Sequence, residues 1–135
     1  MAILPILVSA AQPLRAQDAN ADIFGKWRVV KVVDSTDIVG LSYRQAHSLV
    51  GKTITINKDQ LNFDGRVCSS PTYERTQENT SKYFRESMHA STENLHLPQV
   101  ITVIDAGCTF IYPRNDRTIM IHWDGFFFDA KKLSK

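Results

Sequence analysis

Cysteine, one-signed charge and long apolar runs are all scarce in this chain, and each shortage removes a class of protein. Only two cysteines occur in 135 residues. Neither has a second Cys or a His at ligand spacing, which argues against a zinc site. Sixteen Lys and Arg against fourteen Asp and Glu leave a formal net charge of +2. The basic residues, among them Lys26, Arg28, Lys31, Lys52, Lys58 and Arg66, form neither a run nor a stripe, so the footprint of a nucleic-acid binder is missing. The four histidines, His47, His89, His96 and His122, make no His-Glu-x-x-His or i, i+4 ligand pair. No nucleophile elbow, P-loop or dinucleotide fingerprint is present. Ser69 and Ser70 have no activating partner in the sequence. Asp124 is accounted for as a turn residue and Asp129 as an outward position beside Lys131. The reading is a non-enzymatic protein with no cofactor and no metal.

What the chain does contain starts with a distinct N-terminal segment. Residues 1–21 hold an apolar run, Ile3 to Ala11, then a polar stretch and Ala19-Asn20-Ala21, a small-x-small pattern that fits a cleavage site. Leu14-Arg15-Ala16 is the alternative site. The run is far shorter than the roughly twenty residues that span a bilayer, so no integral membrane span is expected. Its length suits a secretory leader, although no Lys or Arg precedes it. Residues 1–21 are therefore read as a signal peptide or a disordered leader, and residues 22–135 as one domain of periplasmic or secreted location. An even cysteine count in an exported small domain points to a Cys68–Cys108 disulfide. Two separate buried thiols are the alternative.

The rest of the chain reads as short strands. Residues 24–33 are β-branched and aromatic, with Trp27, Val29 and Val33 on one face and Val30 and Val32 on the other, which requires a register shift or two covered faces. Ser42-Tyr43-Arg44-Gln45 has the form of a capping box opening a short helix that stops at Gly51. Residues 52–57 and 61–63 alternate cleanly as a hairpin, and Asp64-Gly65 turns the chain into residues 66–68. In the irregular stretch 69–98 a helix is expected over 82–90, with Tyr83, Phe84 and Met88 as its apolar contacts, and a strand near Tyr73. Residues 100–104 and 108–112 form a second hairpin, and 118–123 and 126–130 a third, closed by Asp124-Gly125. Antiparallel strands at this spacing predict an all-β barrel or tight sandwich with one or two short helices.

The order of a Gly-x-Trp strand (Gly25, Trp27), a short helix, a meander and a closing aromatic strand with Lys131 and Lys132 resembles the calycin superfamily of lipocalin-like barrels. The resemblance implies that Trp27 plugs one end of the barrel and that a basic residue, Lys131 or Lys132, lies over it. A scaffold is not a function, and with the catalytic motifs missing the expectation is a binding protein rather than an enzyme, with a small apolar ligand or a protein as partner.

Aromatics at alternate strand positions, Trp27, Phe63, Phe110, Trp123, Phe126 and Phe128, are expected to fill the core. Phe127 must point the other way, towards either an exposed apolar patch or a covering helix. Tyr73, Tyr83 and Phe84, in the irregular segment, are candidates for a partner-binding loop. Tyr112 and His122 are candidates to face a ligand cavity. The expected function is an exported β-barrel binding protein. The alternative is an inhibitor or immunity-type protein that blocks a secreted hydrolase with one loop, the Ser69 to Tyr73 loop anchored by Cys68.

Overall fold

The structure, a computed structural model, describes residues 19–133. Most of the segment read as a leader therefore lies outside the described residues. Its last residues do not. Asn20 is buried, and its side chain donates to the Tyr73 carbonyl at 2.8 Å and accepts from Arg75 Nε at 3.1 Å.

A single 3-10 turn, Ala21–Ile23, leads into nine strands: β1 Gly25–Ser35, β2 Thr53–Ile56, β3 Gln60–Phe63, β4 Arg66–Ser69, β5 Glu74–Asn79, β6 Val100–Asp105, β7 Phe110–Pro113, β8 Thr118–Trp123 and β9 Phe126–Lys132. Helix α1, Tyr43–His47, follows β1, and α2, Thr80–Ser87, follows β5. All strand pairs are antiparallel, in the order β4-β3-β2-β1-β9-β8-β7-β6-β5, and the sheet curls into a half-barrel. The fold is all-β, as the strand spacing predicts.

Two bulges in β1, between Val29 and Lys31 and between Val32 and Asp34, bend the strand around the barrel. They also resolve the conflicting faces of this run. Trp27, Val29 and Val32 face the barrel interior, whereas Val33 packs on the outside.

There are two cores. The interior is filled by Trp27, Ile54, Ile56, Leu61, Phe63, Ile104, Ile111, Ile119, Ile121, Phe126 and Phe128, none more than 3% exposed. The second core lies on the outer face of β6 to β9. There α2 and residues 88–97 cover Ile101, Val103, Tyr112, Met120 and Phe127 with Tyr83, Phe84, Met88 and Leu95. Strands β2 and β3 are buried on one face and alternate, while β8 and β9 are buried on both and do not. Arg114 ties the covering segment down. Its guanidinium bonds to Asp129 at 2.8 Å and donates to the carbonyls of Leu95 and His96 at 2.7 and 3.1 Å.

The helices follow their local signals. Ser42 and Gln45 make both bonds of the capping box at α1, and Ala46 reaches the barrel core. The helix itself ends at His47, and one further turn carries the chain to Gly51, whose φ of +92° suits glycine. Asn79 caps α2, which starts two residues earlier than the pattern predicts because Asn79 accepts from Lys82 N–H.

Trp27 is fully buried in the interior core. Its indole N–H donates to the Ile23 carbonyl at 2.9 Å, and Lys132 Nζ lies 5.4 Å from the ring centroid. Lys132 is the cross-strand neighbour of Trp27, whereas Lys131 pairs with Arg28 and is exposed. The basic residue over the tryptophan is thus Lys132, and the structural role expected of Lys131 passes to it, because strand alternation puts only one of the two on that face.

Candidate functional site

The terminal strands β4 and β5 do not pair with each other, so the half-barrel has a seam. Two links hold it. The Cys68–Cys108 disulfide joins β4 to the β6–β7 turn, with the Cα atoms 6.1 Å apart. The Tyr73 hydroxyl donates to the Asn57 carbonyl at 2.7 Å. The disulfide is the pairing expected from the cysteine count.

Beside the disulfide lies a cleft of about 390 Å³, lined by Arg66, Val67, Cys68, Cys108, Thr109, His122, Trp123 and Asp124. Two hairpin tips build it. Asp64-Gly65 reverses the chain into β4 and presents Arg66, and Asp124-Gly125 reverses β8 into β9 and presents Trp123 and Asp124. Arg66 bonds to Asp124 at 2.5 Å, and its guanidinium carbon sits 5.1 Å from the Trp123 ring centroid. Trp123 in turn stacks on Phe63 at 4.9 Å, so a cation is held over a rigid aromatic column. The Thr109 hydroxyl donates to the His122 carbonyl.

An apolar rim adjoins the cleft. Residues 36–42 cross the Asp124-Gly125 turn, where Gly40 N–H donates to the Asp124 carbonyl at 2.8 Å. A Cβ on Gly125 would meet Ile38 O and Val39 Cα at 2.6 Å, and its φ is +89°, so only glycine fits this crossing. The crossing leaves Ile38 84% exposed and Tyr43 68% exposed, the latter 6.2 Å from Phe126. The exposed Ile38, Tyr43 and Arg66, beside the largely buried Trp123, have the residue types of an interface hot spot.

The residues expected to touch a ligand or partner lie elsewhere. Tyr73 is buried in the interior core at the foot of the seam, and burial pushes its hydroxyl pKa from 10.0 to about 12. Tyr83, Phe84, Tyr112 and Phe127 belong to the outer core. The Tyr83 and Tyr112 hydroxyls hydrogen-bond at 2.9 Å. Burial raises Tyr83 to about 12, against the lowering effect of that bond, and holds Tyr112 well above its ordinary value. The irregular segment uses Tyr83 and Phe84 to cover the sheet, where Tyr112 and Phe127 meet them.

Tyr112 does not face the barrel interior, and neither does His122. Ile119, Ile121 and Trp123 take the inner face of β8, leaving His122 outside against Phe127 at 5.4 Å. Of the expected contacts, His122 alone borders the cleft. Burial lowers its pKa, and Asp124 partly offsets this.

Arg66, Trp123 and Asp124 were not singled out from the sequence as a site. Each sits next to a recognisable Asp-Gly turn, but no local signal says that the two turns meet. Among the described residues no group of three or more His, Cys, Asp or Glu is placed to hold a metal, and no helix is long and apolar enough to cross a membrane. No family model, no curated protein and no solved structure matches the chain.

Proposed function

We propose that this chain is an exported, non-enzymatic, calycin-like β-barrel that binds a protein partner through the seam cleft and its apolar rim. The observation that carries this reading is the filled interior. Large side chains from β1, β2, β3, β6, β7, β8 and β9 meet in the interior at 0–3% exposure, so a small apolar ligand has no lumen to enter, whereas Ile38, Tyr43 and Arg66 stand exposed beside the cleft. The lysine over Trp27 and the glycine two residues before it support the calycin resemblance, and the disulfide supports an oxidising compartment.

Photocrosslinking tests the reading. With a benzophenone side chain at position 38, protein expressed in its source cell is expected to give a discrete adduct that excess unmodified protein suppresses. No adduct, together with one-to-one saturation by a fluorescent fatty acid, would replace the protein partner by a cavity ligand.

The inhibitor reading has one observation of its own. The loop after β4 is braced on both sides: Ser70 N–H donates to the Asp59 carbonyl, Thr72 bonds to the Ala106 and Asp105 carbonyls, and Cys68 anchors its start. Such pre-organisation suits a loop that blocks an enzyme. A panel of secreted hydrolases assayed with the protein in excess would reveal it as stoichiometric loss of one activity.

A further inference from the structure

Arg66, Val67 and Cys68, three consecutive residues of β4, line the seam cleft. Side chains alternate across a strand, so a wall built from three successive residues is the edge of the strand and not one of its faces. β4 ends the sheet and is hydrogen-bonded to β3 alone.

The register identifies the main-chain groups on that edge. Asp64 and Gly65 have φ of +50° and +86°, the pattern of a two-residue type I′ turn. Phe63 and Arg66, which flank it, therefore form a hydrogen-bonded pair, and the next pair, Asn62 and Val67, does not. The N–H and C=O of Val67 point away from β3, towards the cleft. Across it stand Cys108, Thr109, Trp123 and Asp124, none of them a strand partner of β4.

We propose that the cleft receives one extended segment of a protein partner, which adds to β4 as a further strand and carries a carboxylate opposite Arg66. This rests on the protein-binding reading above and names the chemistry of its partner. Main-chain bonds to Val67 give the segment its direction, and the Val67 side chain, 53% exposed, and the disulfide meet its alternate side chains.

The carboxylate follows from Arg66. A guanidinium has five N–H donors, and its one ion pair, from a single terminal nitrogen to Asp124, leaves the side chain 61% exposed. A strand laid over it takes water from the remaining donors, and a charged acceptor offsets that cost best. The other edge, β5, is unsuited. Glu74, Arg75, Thr76 and Gln77 are polar and exposed, and Arg75 is held by Asp22 and Asn20, an edge blunted by charge.

Random-heptapeptide display on the oxidised full-length protein tests the proposal. Enriched peptides are expected to lack proline, to alternate β-branched residues, and to share one Asp or Glu. Changing that acid to its amide should weaken a synthetic representative about tenfold, the scale of one charge-assisted hydrogen bond. In Arg66→Gln the acid and the amide should bind equally. N-methylation at alternate residues should abolish binding, as should Val67→Pro, which removes the free N–H and fills the edge without taking a bond from β3. If Val67→Pro does not fold, the N-methylated peptides decide. No enrichment, or binding indifferent to N-methylation, overturns strand addition. A dimer in sedimentation that Val67→Pro makes monomeric would give the cleft to a second copy and overturn it as well. An adduct at position 38 without peptide binding removes this inference alone, whereas loss of the adduct removes the reading beneath it.

Discussion

Reducing the Cys68–Cys108 bridge opens a cross-link between positions 40 residues apart. In the chain-entropy description the bridge denies that loop freedom to the unfolded chain, a stabilisation of about 4 kcal/mol. Native stabilities run from about 5 to 15 kcal/mol, so the bridge supplies a large share. The site makes the consequence local as well as global, because the disulfide holds terminal strand β4 to the β6–β7 turn across a seam with no backbone pairing. The assay is urea unfolding of three forms: oxidised, reduced, and Cys68→Ala with Cys108→Ala. Reduction leaves the sulfurs in place and isolates the cross-link. The double variant adds a small cavity cost of about 1 kcal/mol. Alanine is preferred to serine because Cys68 is 8% exposed and a hydroxyl there would be buried. Stability is expected to fall by about 4 kcal/mol on reduction, with a drop in Tm of about 15 °C for a domain of this size. The denaturant slope should rise, because the freed unfolded chain exposes more surface. A loss below about 1 kcal/mol would refute the loop-entropy reasoning, and two titratable thiols in protein recovered from its source would refute the bridge.

Trp27 is fully buried and bonded to Ile23, so Trp27→Ala should cost about 3–5 kcal/mol in the same unfolding assay; a cost below about 1 kcal/mol would show that it is not a core anchor. Tyr112→Phe strips the Tyr83 hydroxyl of its partner and should cost about 1–3 kcal/mol, while the Tyr83→Phe, Tyr112→Phe double variant should cost less than the two single changes added together. Additive losses would dissolve the pair. Tyr73 and Tyr83 titrate near 12 in the fold against 10.0 when free. The neutral form is favoured in the native state, so this stabilisation is complete below pH 10 and is lost as pH rises towards 12. A Tm flat across that window would contradict it. His122 is shifted the other way by burial, which favours its neutral form, so its contribution is present above the ordinary value of 6.5 and is lost as pH falls below it. His122→Gln should flatten the acid limb of Tm against pH.

Much of the architecture is legible residue by residue. Alternation at Ile54, Ile56, Leu61 and Phe63 identifies the β2–β3 hairpin because one face of it is wet. Ser42 and Gln45 announce α1 because both bonds of a capping box are local. Asp64-Gly65 and Asp124-Gly125 mark hairpin turns because positive φ at two successive residues selects for them. Other features are ambiguous in one dimension. Phe126, Phe127 and Phe128 say that both faces of β9 are apolar, but not that α2 covers one of them. Tyr73, Tyr83 and Phe84 lie among polar residues and read as a loop, yet burial under long-range packing makes them core.

By itself the sequence determined the strands, their turns, the short capped helix and the two cysteines available to pair, since these depend on interactions within a few residues. Tertiary structure alone decided which terminal strands leave a seam, which lysine lies over Trp27, and that Arg66 from one turn meets Trp123 and Asp124 from another. Those contacts join residues far apart in the chain, 58 positions for Arg66 and Asp124, and no local pattern of hydrophobicity or turn chemistry carries information over that distance.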